Sequence, residues 1–298
     1  MKAPFPWFGG KSTVADAVWR RLGSPKQYIE PFCGSAAILL AAPAPASLEV
    51  IGDANCYVAN FWRALKLQPD AVIAAQEYPV SHIDLFARHR WLTEPTRVAT
   101  LRDALLDPEW PGDAKIAGWW LWGQCCWIGS GWCDPGKGQR TVGAGTLGQI
   151  PYVSSPGQGV QAPTAGAVGD WMRSLAARLA NVRVVHGDWT RCLNNHYGED
   201  KTAVFLDPPY LAFEKLYSDA SSPVAAEVAA WAREHAHLRV ALCGHRGDYA
   251  MPGWSVAEWS RTQAAYGGVD TKDAECIWFS PGCLPDVPAQ VSLFGGAA

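Results

Sequence analysis

Asp207-Pro208-Pro209-Tyr210 closes an apolar run, TAVFLDPPY, with a carboxylate, two prolines and an aromatic ring. Asp207 precedes a proline, which pushes its backbone into the extended region. Pro208 and Pro209 offer carbonyl acceptors and no N–H donors, on a stiff turn. The tip therefore presents only acceptors, beside the face of Tyr210. An exocyclic amino group on a planar base fits that arrangement. It would donate to Asp207 and to the Pro208 carbonyl while its ring stacks on Tyr210. Such a nitrogen is a poor nucleophile, because its lone pair is delocalised into the ring. Two hydrogen bonds to fixed acceptors favour a pyramidal nitrogen and stabilise the charge that builds there as a bond forms. A stacked base cannot reach such a site, so the target would be flipped out. Taken alone, the same tetrapeptide is equally an ordinary strand-end turn.

A second candidate lies in PFPWFGGKST. Gly10, Lys11 and Ser12 look like the end of a phosphate-binding loop. That loop needs a glycine five positions before Gly10, where Phe5 stands between Pro4 and Pro6. Proline donates no N–H to a phosphate cradle, and no apolar run long enough for a preceding strand exists. The triphosphate reading fails.

These residues need elements to hold them. KSTVADAVWRRLG reads as a first helix, with Ser12 or Thr13 as cap, Val14, Val18 and Leu22 on one face, and Gly23 as stop. QYIEPFCGSAAILLAA gives a strand at 28–30, a turn through Gly34 and a helix from Ser35. SLEVIGDAN is a strand ending in Asp53, which stands 19 positions after Gly34. This is the front half of a nucleotide-binding α/β unit, and a carboxylate there can take both hydroxyls of a ribose. The β-α rhythm stops near Phe61 and resumes with NVRVVHGDW, a strand ending in Gly187-Asp188. TAVFLDPPY follows, then the helix VAAEVAAWAREH and the strand LRVALCGH. WSVAEWSR and AECIWFSP close as an antiparallel pair. The fold class is α/β, a mostly parallel sheet with helices on both faces, interrupted by an insertion. In open sheets of this kind ligands lie beyond the carboxyl ends of the strands, where Glu30, Asp53, Asp188 and Asp207 would gather.

At 298 residues the chain suits one large domain, or one domain with an insertion. Hydrophobic content of 49% is ample for a core, and no apolar run reaches the length of a membrane span. The opening MKAPFPWFGG lacks the apolar stretch of a signal peptide. Nine scattered cysteines favour reduced thiols and a cytoplasmic protein. A net charge of -3 excludes a simple basic coat for a duplex. Either nucleic acid is not the partner, or positive charge is confined to one cleft.

Seven of the sixteen tryptophans lie between Trp91 and Trp132, and 11 of the 29 glycines between Gly129 and Gly169, within the insertion. The tryptophans could stack on bases, but large aromatics are usually buried and a core role is favoured. Cys125, Cys126 and Cys133 do not have the spacing of zinc ligands, so no metal is expected. Arg88, Arg90, Arg97 and Arg102, with Lys137 and Arg140 in the glycine-rich passage, are candidate phosphate contacts or plain solvated surface. PGCLPDVPA reads as a linker to a separable tail.

Four segments together resemble the Dam-like N6-adenine DNA methyltransferases and their phage relatives, which carry a D-P-P-Y motif. The resemblance covers residues 4–60 and 182–280. W-x-G-G-K matches Trp7, Gly9, Gly10 and Lys11. E-P-F-x-G matches Glu30, Pro31, Phe32 and Gly34. D-x-N matches Asp53 and Asn55, and D-P-P-Y matches Asp207 to Tyr210. It implies a Rossmann-like seven-stranded S-adenosylmethionine-dependent methyltransferase sheet with an inserted, mainly helical target-recognition domain. The implied division is 1–61 and 181–283 for the methyltransferase parts, 62–180 for the insertion and 284–298 for a flexible tail. By the same resemblance S-adenosylmethionine is the cofactor. Trp7 and Lys11 would lie near its methionine end, with Gly9 and Gly10 packing over it. The turn at Glu30, Phe32 and Gly34 would pass under it, and Asp53, followed by Asn55, would hold the ribose. Asp188 would lie near the cofactor's adenine amino group, with Asp207 bordering cofactor and target. The implied catalytic residues are Asp207, Pro208, Pro209 and Tyr210, and the implied substrate is DNA.

The arginines that related sequences carry before the last strand are replaced here by Gly267, Gly268 and Asp270. Gln290, Ser292, Leu293 and Phe294 resemble the peptide by which bacterial replication proteins dock on the sliding clamp. N4 methylation of cytosine, a catalytically silent DNA-binding scaffold of the same fold, and methylation of a protein side-chain amide remain rival readings. The family resemblance also implies a phage source and protection from restriction.

Overall fold

The computed structural model describes residues 1–7, 10–76, 81–127, 132–133, 168–193, 201–209, 224–259 and 275–286. Strands form where short apolar runs are bounded by turn residues. They are β1 (Gln27–Glu30), β2 (Leu48–Asp53), β3 (Val182–His186), β4 (Thr202–Leu206), β5 (Arg239–His245), β6 (Ser255–Trp259) and β7 (Glu275–Phe279). They make one seven-stranded sheet in the order β3-β2-β1-β4-β5-β7-β6. The first five run parallel, with Ile29 opposite both Val50 and Val204. β7 is antiparallel to β5 and β6 is antiparallel to β7, the closing pair that the sequence suggests. The strand order reverses between β1 and β4, so the crevice of such a sheet opens beyond the carboxyl ends of these two strands.

Side chains alternate between two packed faces. Tyr28, Ile51, Phe205, Cys243 and Phe279 join one cluster, while Ile29, Val50, Leu206, Leu242 and Trp278 join the other. Covering on both faces is why the parallel strands are apolar almost throughout. The second face is covered by α9 (Val224–Glu234) and by the short 3-10 helix Trp189–Cys192. The first face carries α1 (Ala15–Leu22), α2 (Ala37–Leu40), α3 (Cys56–Leu67), α4 (Pro69–Gln76), α5 (His82–Leu92), α6 (Pro95–Ala104), α7 (Ala114–Cys126) and α8 (Val168–Arg178).

Local details depart from the sequence reading in four places. Val14, Val18 and Leu22 do share a buried face, and Gly23 does stop α1 at φ 65°. However, the cap position falls to Val14, whose side chain has no acceptor to offer, after a backbone turn in which Val14 N–H donates to the Lys11 carbonyl at 3.1 Å. Ser12 and Thr13 therefore do not cap the helix. The helix expected from Ser35 is only one turn, preceded by Ala36 in the left-handed region. The expected boundary between residues 61 and 62 falls inside α3. Trp62, Trp120 and Trp122, all fully buried, share one cluster with Phe5 and Tyr28, so the described helices of 62–180 pack on the sheet's own core. The tryptophan cluster is thus core, and Cys125, Cys126 and Cys133 are buried within it. Finally, the start of the expected linker is tied to the fold. Gly282 N–H donates to the Ala236 carbonyl, Cys283 is buried, and Leu284 N–H donates to the Arg21 carbonyl at 2.9 Å. No helix among the described residues is long and apolar enough to cross a membrane.

Candidate active site at the strand ends

β1 ends at Glu30, and the chain turns through Pro31 to Ala36. At Gly34 the backbone adopts φ 44°, and a Cβ added there would lie 2.3 Å from the Trp7 indole. Only glycine satisfies both the conformation and the ring lying against it. The turn is held from three sides. Gly34 N–H donates to Asp53 Oδ2 (3.0 Å), Trp62 Nε1 donates to the Gly34 carbonyl (2.8 Å), and Cys33 N–H donates to the Gly52 carbonyl (2.9 Å). Asp53 ends β2, and its Oδ1 accepts the Asn55 N–H at 2.9 Å. Asn55 in turn caps α3 by accepting from Tyr57 N–H at 2.9 Å. Burial pushes the Asp53 carboxyl up to about 6, against the pull of its two backbone donors.

Glu30 is 2% exposed and faces inward. Its Oε2 accepts from the Tyr28 hydroxyl (2.9 Å) and from Leu39 N–H (3.2 Å), tying β1 to α2 beneath the turn. Burial outweighs these bonds and pushes its carboxyl up to about 8, with Asp207 and Asp53 adding repulsion.

Asp207 follows β4, on the other side of the switch point. Its Oδ2 accepts from Lys11 Nζ at 2.7 Å. The Lys11 side chain is 4% exposed and that of Asp207 is 18% exposed. A solvated lysine at a helix start is therefore excluded. Burial alone would lower the Lys11 ammonium, but the nearby charge, Asp207 foremost and Glu275 with it, holds it above its ordinary value. Pro208 is buried and Pro209 is exposed.

The described residues before Lys11 are held from several directions. Gly10 N–H donates to the Trp7 carbonyl (3.0 Å), and Gln124 Nε2 of α7 donates to the Pro6 carbonyl (3.1 Å). Phe5 packs edge-on against Phe61 and Trp120. Phe32 stacks on Trp189 at 6.3 Å. Asp188, exposed after edge strand β3, caps the 3-10 helix through Thr190 N–H at 3.0 Å. The structure thus brings Trp7, Gly10, Lys11, Glu30, Gly34, Asp53 and Asp207 to one end of the sheet.

Not every candidate gathers there. Arg88 is buried, with its guanidinium over Trp119 (4.9 Å) and Trp122 (4.3 Å), so it is no surface phosphate contact. The aromatic faces that bury it come from a helix some thirty positions later in the chain. Arg97 sits over the Trp91 ring at 3.6 Å, and Arg90 is exposed. Sequence reasoning passed over Lys115, whose ammonium sits between Trp91 (4.6 Å) and Trp119 (4.5 Å); its place in a helical run amid tryptophans was the available signal. Gly9, Tyr210, Lys137, Arg140, Gly267, Gly268, Asp270 and the clamp-like Gln290, Ser292, Leu293 and Phe294 lie outside the described residues.

Residues 7–105 match the family model of the D12 class N6 adenine-specific DNA methyltransferases. No curated protein matches the chain. The D12 class comprises S-adenosylmethionine-dependent enzymes, and the match supports adenine DNA methylation in general. The D12 segment spans Trp7, the Gly34 turn and Asp53, and it ends before Asp207. The seven-stranded sheet agrees with it.

The residues present suit S-adenosylmethionine. A turn without a side chain at Gly34 lies beside a carboxylate, Asp53, with lone pairs left for hydroxyl donors. Lys11 is paired with Asp207, and the carboxyl groups of Asp53 and Glu30 stand at the ends of the neighbouring strands β2 and β1, an acidic setting that a sulfonium cation tolerates.

Proposed function

We propose that this protein methylates N6 of an adenine flipped out of DNA. One observation carries the reading. The acceptor-only tip at Asp207 and the Gly34–Asp53 cradle lie across the switch point from each other, on adjacent strands β1 and β4 and their neighbour β2. Bound in that cradle, S-adenosylmethionine supplies an electrophilic methyl on a sulfonium.

The protein's own part is positioning. Asp53 would accept from the ribose hydroxyls, and the Gly34 turn lets the cofactor approach the backbone. Trp7, lying on Gly34, would wall the methionine side. Asp207 and the Pro208 carbonyl would accept the two N–H bonds of the adenine amino group, and Tyr210 would stack on the base. The nitrogen lone pair would then be free to take the methyl that the sulfonium supplies, leaving the thioether, and the positive charge that grows on N6 would be met by the Asp207 carboxylate. One N6 proton leaves to solvent. No covalent enzyme intermediate and no metal are required.

Nucleoside mass spectrometry tests this. Purified protein is incubated with S-adenosylmethionine and unmethylated duplex DNA, and the digest is examined. N6-methyldeoxyadenosine is expected. N4-methyldeoxycytidine would keep the mechanism and change the base. No methylated nucleoside, with cofactor binding intact, would move the reading to a silent scaffold or a substrate other than DNA. Asp207→Ala should abolish turnover and leave cofactor binding nearly unchanged; retained turnover would refute the role of Asp207. Docking of residues 290–294 on a sliding clamp rests on sequence likeness alone. A pull-down unchanged by deleting residues 290–298 overturns it.

A further inference from the structure

We propose that Lys11 is a positioning residue for methyl transfer, holding the Asp207 carboxylate by Oδ2 so that Oδ1 is presented to the amino group of the target base. This rests on the function proposed above. It differs from the cofactor contact that the sequence resemblance gives Lys11.

The geometry is specific. Nζ lies 2.7 Å from Oδ2, and the ammonium is nearly fully buried while the carboxylate is partly open. Among the described residues Oδ1 accepts no hydrogen bond, and it belongs to the more exposed of the two side chains. A carboxylate at a strand end can rotate about its side-chain bonds, and an anchored oxygen removes that freedom. The described residues before Lys11 are tied down: the Phe5 ring is locked in the core, Gln124 grips the Pro6 carbonyl, and Gly10 N–H donates to the Trp7 carbonyl.

The charge environment supports the pairing. Cys243 from β5 and Glu275 from β7 act on the Lys11 ammonium, while Glu30 from β1 and Cys243 act on Asp207. Without Lys11, Asp207 would lose the cation that pairs with it among the described residues, and its carboxylate would no longer be anchored through Oδ2. Lys11 donates only, so it cannot compete for the N–H of the base.

The test separates kcat from binding. Lys11→Met and Lys11→Gln are prepared in the full chain, with Lys11→Arg as the conservative variant. Single-turnover methylation at saturating DNA and cofactor should fall roughly 100-fold in the first two, the loss expected from a misplacement near the reacting atoms. Cofactor Kd, measured by calorimetry, should move less than about threefold, well under one kcal/mol. Lys11→Arg should recover at least part of the rate. A Lys11→Met or Lys11→Gln variant that retains the wild-type rate overturns the inference, as does either one if its rate returns on raising the cofactor concentration. Should Lys11→Met not fold, Lys11→Gln, which keeps a polar donor, carries the same comparison. Wild-type protein that makes no methylated nucleoside would sink the proposed function instead, so the two failures are distinct.

Discussion

Individual carboxyl groups at this site are held in conditions that do not favour their charge. Glu30 is the sharpest case, its carboxyl pushed from 4.5 to about 8 by burial. A raised carboxyl pKa means that the folded state binds a proton more tightly than the unfolded chain. Glu30 therefore contributes stability that is full below its unfolded value and lost as pH rises through about 8. Asp53 contributes the same sign over a lower window, ending near 6. Glu30→Gln keeps an acceptor for the Tyr28 hydroxyl and Leu39 N–H but has no proton to lose. Urea unfolding without cofactor should show wild-type stability declining between pH 5 and 8, with a clearly shallower decline in the variant. Parallel curves for the two proteins would contradict the burial of an ionisable Glu30. At this scale the sequence was legible where strand ends fix position, as at Asp53 and Asp207. It was not legible where the partner is remote. Lys11 and Asp207 are 196 positions apart, and nothing local to GGKST announces that pair. Arg88 looks like solvated surface until Trp119 and Trp122 close over it.

The elements were read better than their ends. Each strand is a bounded apolar run, so all seven were found, and the acids that follow them marked the carboxyl edge. Helix starts were harder, because Ser12 and Thr13 have the right chemistry for a cap while a backbone turn from Lys11 pre-empts them. The turn after β1 is the element on which the site depends most. Its left-handed φ at Gly34, its bond to Asp53 and its contact with Trp7 are simultaneous constraints. Gly34→Ala should lose about 1–2 kcal/mol from the backbone conformation alone. The new methyl would also drive the Trp7 indole off the turn, which lies 2.3 Å from the added carbon. Cofactor affinity should then fall by more than tenfold while the far-ultraviolet circular dichroism of the folded protein is unchanged. Unaltered cofactor affinity would mean that the turn does not line the cofactor's path.

For the whole molecule, stability and chemistry sit at opposite ends of the sheet. The site gathers at the carboxyl edge, whereas the amino end of β2 carries Glu49, which pairs with Tyr28 and Val182 across the strands. Glu49 is 2% exposed and takes both guanidinium nitrogens of Arg178, at 2.6 and 2.7 Å. Arg178 also donates to the Leu39 carbonyl, so one side chain clips α8 to β2 and α2. That clip is a reason why the described helices between residues 62 and 180 share the sheet's core. Composition suggested a separate insertion, because a break in the β-α rhythm shows where strands stop but not what the helices pack on. Arg178→Met would leave a buried carboxylate with the Ala46 N–H as its remaining partner. Stranding a buried charge in this way costs about 3–5 kcal/mol. Removing both charges, with Glu49→Leu added, should restore much of that loss, because a buried pair is worth little against apolar packing. Chemical unfolding of the two variants measures this difference, and a single variant within about 1 kcal/mol of wild type would contradict it. Because the clip lies at the far end of β2 from Asp53, the folded variant should keep the wild-type methylation rate below its unfolding temperature. A rate that falls in step with stability would instead mean that α8 reaches the chemistry through β3.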